Sequence, residues 1–517
     1  MTPGEDAQPG HGAARDAARA RWAEREARDL AGARVAVVGL GTSGRAALRA
    51  LQGRVGALLA TDGRDEALQG ASVEVPDAVL ASGPTPRELA EVTLGLDPDV
   101  LVVSPGIPAT SDLLVRAQQL SIPVWSEIEL AWRLQRPRPG GGYAPWLAVT
   151  GTNGKTTTVT MTAAILAAAG LDAPAVGNVG TPPVQIVTAD GPGPDVLPAE
   201  LSSFQLHATH SLAPLAAVCL NLAPDHLDWH GSYAAYRADK ARVYRGVTGL
   251  CVYSEADPDT RAMVEEADVA EGARAVGLTL GPPAVSQVGV VDGVLAERVG
   301  PGRWTTATEI GEVADLAHLL GDAAGPGDVP DHLVLDALAA ATLARAAGVE
   351  PHHVRDGLRA YRAEDHRATH VATLGGVTYV DDSKATNAHA ADAALSAHAE
   401  RSVVWIAGGL AKGARFDDLV AAHAHRLAHV VLIGKDREPM LDALARHAPE
   451  VPLVEVTRDD DEAVMERAVG LAAARALPGQ TVLLAPASAS MDQFRSYDQR
   501  GRAFADAVRA LATQEER

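Results

Sequence analysis

The sequence predicts an α/β protein in three units, each a largely parallel sheet covered by helices. Three observations predict it. Short apolar runs alternate with helical patterns along most of the chain. Two of the strand–helix junctions, at 39–44 and 151–157, are glycine-rich turns. The stretch PRPGGGY at 137–143 has the composition of a linker. At 517 residues the chain is too long for one core, and with 47% hydrophobic residues it can fill several.

Residues 1–31 mix Ala and Arg with acids and lack an apolar core, so they read as a flexible extension and not a signal peptide. The first unit, 32–142, is Rossmann-like. RVAVVGLGTSGRAALRAL gives strand, turn and helix, and ALLATD (57–62) and VLVVSPGIP (100–108) give further strands. Gly39-Leu40-Gly41-Thr42-Ser43-Gly44, with Asp62 at the end of the next strand, matches the dinucleotide fingerprint. Its physics is less selective than its name. Glycines and a helix N-terminus bind a pyrophosphate, and Asp62 can take a ribose or other hydroxyl. A nucleotide-sugar diphosphate therefore fits as well as NAD. An oxidoreductase built on this turn stays open on these residues alone.

The second unit, 143–363, opens with WLAVT and then Gly151-Thr152-Asn153-Gly154-Lys155-Thr156-Thr157 before an Ala-rich helix. Such a turn leaves backbone N–H groups pointing into one cavity. The helix dipole and Lys155 add positive charge there, and Thr156 is placed to join a magnesium shell. The usual P-loop spacing would need a glycine at Val149, so the match is partial. ATP or another nucleoside triphosphate is the expected ligand. Further strands are expected around 195–200 and 215–221. Glu200 ends one and Asp225-His226 follows the other, which offers magnesium a carboxylate and an imidazole. Lys240 reads as a helix-surface cation.

The third unit, 364–517, is expected to be a second Rossmann-like sheet, with strands at 377–382, 402–409, 429–434, 451–456 and 481–488. Its strand ends carry Asp381-Asp382-Ser383-Lys384-Ala385-Thr386-Asn387, Lys412 and Ser490-Met491-Asp492-Gln493-Phe494. Ends of parallel strands converge on one edge, a reasonable ligand site.

Net charge of −21 argues against non-specific nucleic-acid binding, and 4% aromatic residues argue against base stacking. No charge-free apolar run is long enough to span a membrane. The two cysteines, Cys219 and Cys251, lack metal or redox spacing and suit a reduced, cytoplasmic interior. A monomer acting on small molecules is expected.

Taken together, GTNGKTT, ELSSFQL, NLAPDHLD, HR followed by DDSKATN, and ASASMDQF resemble the Mur ligase superfamily, over about residues 34–512. The last two motifs resemble most its D-glutamate-adding branch. The resemblance implies that ATP activates the carboxylate of UDP-MurNAc-L-Ala as an acyl phosphate, which the D-glutamate amine then attacks. It implies ATP contacts from Gly151 to Thr157 and from Arg367 and Asp382. Thr156, Glu200 and His226 would hold Mg2+, with two ions expected, and Lys240 would join them as a CO2-derived carbamate. An ammonium cannot bind magnesium, whereas its carbamate presents carboxylate-like oxygens. Lys155, His226, Lys240 and Lys384 would serve catalysis. Thr42, Ser43, Asp62, Gly63, Arg64, Gly106 and Asn178 would line the UDP-substrate site, turning the apparent NAD fingerprint into a UDP site. Thr386, Lys412, Ser490, Met491 and Tyr497 would hold D-glutamate. Two departures stand out: Leu333 and Asp336 replace asparagines that the family uses on the adenine side, and Gly63 replaces a common hydroxyl residue.

Overall fold

The computed structural model describes residues 22, 24 and 28–515, except 139, 301, 303, 321–324, 363–368, 397 and 457–462. The chain forms two compact units. The first runs to Gly311 and includes Leu335–Ala360; the second comprises Glu312–Val334 and Tyr361 to the C-terminus.

The first unit contains two sheets. One is a five-stranded sheet of β1 (Arg34–Val38), β2 (Ala57–Asp62), β3 (Val79–Ser82), β4 (Val100–Val103) and β5 (Val124–Trp125), in the order β3-β2-β1-β4-β5. All its pairings are parallel. Strand order reverses between β1 and β4, and a ligand crevice opens at such a switch point. The glycine turn follows β1 at that place. Gly39 has φ +82°, and a side chain there would run into Ser104, which follows β4.

The second sheet has nine strands: β6 (Trp146–Thr150), β7 (Val176–Gly177), β8 (Leu197–Glu200), β9 (Ala216–Cys219), β10 (Leu250–Ser254), β11 (Arg274–Leu278), β12 (Gln287–Val291), β13 (Val294–Glu297) and β14 (Thr308–Glu312). The fully buried β6 lies between β8 and β9, parallel to both. Its run is apolar without alternation because both faces are covered. Helix Lys155–Ala168 follows and packs on helix Pro351–Ala360, where Gly357 lies so close to Ile165 that a side chain would not fit.

The two sheets are joined by buried polar contacts. Glu129 accepts from Arg133 Nε (2.6 Å), from the backbone N–H of His210 (2.8 Å) and Ser211 (2.9 Å), and from the Ser211 hydroxyl (2.5 Å). A buried carboxylate is tolerable when satisfied in this way. Of the extension expected to be flexible over 1–31, only residues 22, 24 and 28–31 are among the described residues, and these pack here. Trp22 and Leu30 are buried in the core, and Arg28 donates to the Trp132 carbonyl at 3.0 Å.

The second unit holds a six-stranded sheet of β15 (Thr369–Leu374), β16 (Val377–Asp381), β17 (Val403–Gly408), β18 (Leu427–Ile433), β19 (Leu453–Glu455) and β20 (Thr481–Leu484), in the order β15-β16-β20-β17-β18-β19. β15 runs antiparallel to β16, and the other pairings are parallel. The three-sheet α/β architecture is the one the sequence predicts. Among the described residues no helix is long and apolar enough to cross a membrane.

Candidate active site

The P-loop is held open by its own glycines. Gly151 (φ +147°) and Gly154 (φ +80°) adopt backbone that other residues avoid. Asn221, just after β9, clamps the turn: its Oδ1 accepts the Asn153 N–H at 2.9 Å and its Nδ2 donates to the Asn153 carbonyl at 3.2 Å. The Thr152 hydroxyl lies 2.9 Å from the Tyr236 hydroxyl and accepts the Ala223 N–H at 2.9 Å. Lys155 folds back, donating to the carbonyls of Gly151 (3.0 Å) and Thr152 (2.8 Å). Thr157 is buried in the helix behind the loop.

Glu200 closes this group. Its Oε2 accepts the Thr156 hydroxyl at 2.7 Å and its Oε1 accepts the Asn178 amide at 2.9 Å. Asn178, expected against the UDP-linked substrate, therefore sits on the carboxylate expected to bind metal. Lys240 is 2% exposed and is not the surface cation its helix suggested. It donates to the Gly151 carbonyl at 2.7 Å, and burial together with the Lys155 charge pushes its amine down to about 7. His226 adopts a left-handed backbone (φ 52°) as the cap of helix Leu227–His230, with its ring 4.7 Å from that of Phe204.

The fingerprint turn behaves differently from a bare ribose site. Asp62 accepts the Leu40 N–H at 2.6 Å, the Arg64 N–H at 2.8 Å and the Arg64 Nε at 3.0 Å, so it braces the turn. Burial raises its pKa, but the Arg64 side chain and these N–H groups outweigh that and hold it below its usual value. Thr42 begins the helix behind the turn. Gly63 faces the Gly83 carbonyl, and Gly106 has open space where a side chain would point. Ser43 lines a cleft together with Ser104, Glu127, Phe204, Gln205, His207 and Trp229.

In the second unit, loops after β16, β17, β18 and β20 gather at one edge. Leu410 and Ala489 exchange backbone hydrogen bonds of 2.8 and 3.1 Å. The loop at 490–494 is tied to the turn after β18, since Gln493 accepts the Gly434 N–H at 2.6 Å and Asp492 the Lys435 N–H at 2.7 Å. The Asp382 N–H bonds the Leu484 carbonyl, and the Thr386 N–H bonds that of Lys384. Lys384 Nζ lies 5.2 Å from the centre of the Tyr497 ring. Ser490 is buried, whereas Lys412 and Met491 are exposed. Arg367 lies outside the described residues.

Arg500 carried no motif signal, yet it is buried and donates to the Ser383 hydroxyl and carbonyl and to the Ser488 carbonyl. Asn221 stood inside a motif, and its clamp was legible only as an amide beside a strand end.

A glycine loop at a helix N-terminus, a lysine against it, and a hydroxyl paired to a strand-end carboxylate are the parts that a nucleotide-dependent phosphoryl-transfer site requires, and they stand on a Mur ligase fold. Mur ligases are ATP-dependent ligases of peptidoglycan precursor synthesis. Residues 149–279 match the Mur ligase middle domain, and residues 366–488 match the Mur ligase, glutamate ligase domain. UDP-N-acetylmuramoylalanine–D-glutamate ligases from Streptomyces avermitilis and Thermobifida fusca are similar to the chain at 52% and 48% identity. They align over 93% and 94% of this chain and 98% and 100% of those proteins. Among solved structures, UDP-N-acetylmuramate–alanine ligase from Thermotoga maritima aligns at a TM-score of 0.51 and 17% identity, covering 93% of this chain and all of that one (100%). The chain belongs to the UDP-N-acetylmuramoylalanine–D-glutamate ligase family.

The residues present fit the ATP and Mg2+ that this class uses. Mg2+ prefers oxygen donors, keeps several waters, and is held by one or two carboxylates plus phosphates. Thr156 and Glu200 offer such oxygens side by side at the mouth of the phosphate loop. Among the described residues no three His, Cys, Asp or Glu side chains form a ready-made metal cage.

Proposed function

We propose that this chain joins the carboxyl of UDP-MurNAc-L-Ala to the amine of D-glutamate, with ATP cleaved to ADP and phosphate. A carboxylate is a poor electrophile and its oxide a poor leaving group. Transfer of the γ-phosphoryl to that carboxylate supplies a leaving group, and attack by the amine then expels phosphate. The pairing of Thr156 with Glu200 at 2.7 Å beside Lys155 carries this reading, because it sets oxygen ligands and a cation at one phosphate cradle.

In this reading Lys155 leaves the Gly151 and Thr152 carbonyls to meet the terminal phosphate, and the loop N–H groups from Gly151 to Thr157 hold the remaining phosphates. Thr156, Glu200 and His226 hold Mg2+, whose chemistry is to neutralise charge building on the transferred phosphoryl. Lys240, as its carbamate, adds carboxylate-like oxygens for a second ion. Arg367, Asp382 and Lys384 act on ATP and its transferred phosphoryl, and Asn178 orients Glu200. Thr42, Ser43, Asp62, Gly63, Arg64 and Gly106 serve the UDP end, with Asp62 acting in part by shaping the turn. Thr386, Lys412, Ser490, Met491 and Tyr497 receive D-glutamate.

The test is phosphate release with product mass, using UDP-MurNAc-L-Ala, ATP, Mg2+ and a panel of amino acids. Release only with D-glutamate, and a product heavier by one glutamyl residue, supports the proposal. No ADP with D-glutamate overturns it.

A further inference from the structure

Three short helices beside the P-loop meet at one buried carboxylate. Asp239, 5% exposed, precedes Lys240 in helix Tyr233–Ala241. His207 Nδ1 lies 3.0 and 2.9 Å from its two oxygens, His230 Nδ1 lies 3.0 Å from Oδ2, and Arg242 Nε donates to Oδ1 at 3.2 Å. His230 continues the chain, with Nε2 2.9 Å from the Ser203 hydroxyl. His207 ends helix Ser203–His207, and His230 ends helix Leu227–His230. One carboxylate therefore ties the ends of two helices to a third.

Helices of five and four residues do not hold themselves, because a single turn costs more in order than its hydrogen bonds return. Their placement has to come from tertiary ties. Glu200 lies three residues ahead of the first helix, His226 caps the second, and Lys240 sits in the third. Two imidazole nitrogens and a guanidinium face the two Asp239 oxygens, which is the setting of an ionised carboxylate. An ionised carboxylate only accepts, so both imidazoles carry hydrogen on Nδ1. The order Ser203–His230–Asp239 has the spacing of a nucleophile triad. Ser203 is 3% exposed, however, and the His230 ring stacks on Phe204, so the serine braces and does not attack.

We propose that Asp239 is a positioning residue for the ligase reaction, setting the mutual placement of Glu200, His226 and Lys240 through His207, His230 and Ser203. This rests on reading those three as metal-site residues. Asp239→Asn keeps the shape but turns one acceptor oxygen into an amide that opposes an Nδ1–H.

The test is Mg2+ dependence of turnover in Asp239→Asn, Ser203→Ala and the charge-preserving Asp239→Glu. Outer-shell residues of metal sites change affinity by about 10- to 100-fold. Half-maximal Mg2+ is expected to rise about tenfold in Asp239→Asn, with kcat reduced and KM for UDP-MurNAc-L-Ala within about twofold of wild type. Ser203→Ala should shift it less, and Asp239→Glu should recover part of it. Mn2+ binding in the presence of ATP, followed by electron paramagnetic resonance, reads the same site without turnover. A folded Asp239→Asn with unchanged Mg2+ and Mn2+ dependence overturns the proposal. If Asp239→Asn does not fold, unchanged Mn2+ affinity in Ser203→Ala overturns it. Wild-type protein that binds Mn2+–ATP but makes no D-glutamyl product would overturn the functional reading instead, and the Mn2+ comparison would still decide the role of Asp239.

Discussion

The amines of Lys240 and Lys155 share one acceptor, the carbonyl oxygen of Gly151, at 2.7 and 3.0 Å. Two ammonium groups at one oxygen repel, and Lys240 is also buried, so its amine is pushed down to about 7 while an exposed lysine stays near 10.5. The neutral amine, the form that attacks the carbon of CO2, therefore grows as pH climbs through about 7. Carbamate on Lys240, trapped by methylation and read by peptide mass, should rise between pH 6 and pH 8. Lys240→Arg stays charged and takes no CO2. It should lower kcat by about 100-fold or more, the scale of losing one preorganised electrostatic group, without changing circular dichroism. Absence of the adduct at pH 8 in bicarbonate would count against the carbamate.

Gly154 and Asp336 fix the other side of the loop. Gly154 has φ +80°, and a Cβ there would overlap the Asp336 carboxylate, which also accepts the Thr158 hydroxyl at 3.2 Å. Gly154→Ala should cost about 1–2 kcal/mol for the left-handed backbone, plus a steric cost. Asp336→Ala in the same chain should recover only the steric part. Denaturant unfolding of the single and double variants gives the coupling, and strictly additive losses would show that the two residues do not press on each other.

The strands were legible because their signal is local. ALLATD is β2 residue for residue, and WLAVT is β6, since apolar runs bounded by turns reflect burial on both faces. The P-loop was legible because glycine types carry backbone geometry. What stayed hidden depends on pairings across long stretches of chain. Nothing in the spacing of residues 207, 230 and 239 says that three side chains meet, and Ser383 lies 117 residues from Arg500. Lys240 looked like a surface cation because helical periodicity cannot see that the strand end and loop at Thr150 and Gly151 lie against that face. Asp62 matched a fingerprint by position while its oxygens were engaged by Leu40 and Arg64.

Arg500 should matter to D-glutamate handling in the second unit. Burial pulls its guanidinium down to about 10, so it remains charged at neutral pH, and its three hydrogen bonds pin Ser383 to Ser488. Ser383 precedes Lys384, and Ser488 leads to Ser490. Arg500→Met leaves buried oxygens unsatisfied and should destabilise the second unit by about 3–5 kcal/mol. In Arg500→Lys, which can keep part of the bonding, KM for D-glutamate should rise while KM for ATP stays near wild type. An unchanged KM for D-glutamate in a folded Arg500→Lys would contradict this.

Glu127 should give the first unit a pH-dependent weakness. It is 3% exposed, its Oε1 accepts the Val184 N–H at 2.7 Å, and its Oε2 has no hydrogen-bond partner among the described residues. Burial pushes its carboxyl up from 4.5 to about 7, with the Val184 bond opposing. A raised acid binds its proton more tightly in the folded state. Its contribution is therefore fully present below about pH 4.5 and is lost as pH rises through about 7. A shift of this size corresponds to roughly 3 kcal/mol at alkaline pH. Lys240 works in the opposite sense, since its depressed pKa makes stability rise with pH above about 7, so the wild-type curve alone mixes the two. The difference between Glu127→Gln and wild type removes the lysine term. Glu127→Gln should match wild type near pH 4 and exceed it by about 1–3 kcal/mol at pH 8.5, as denaturant unfolding would measure. A difference that stays flat across that range would mean that Glu127 titrates alike in the folded and unfolded chain.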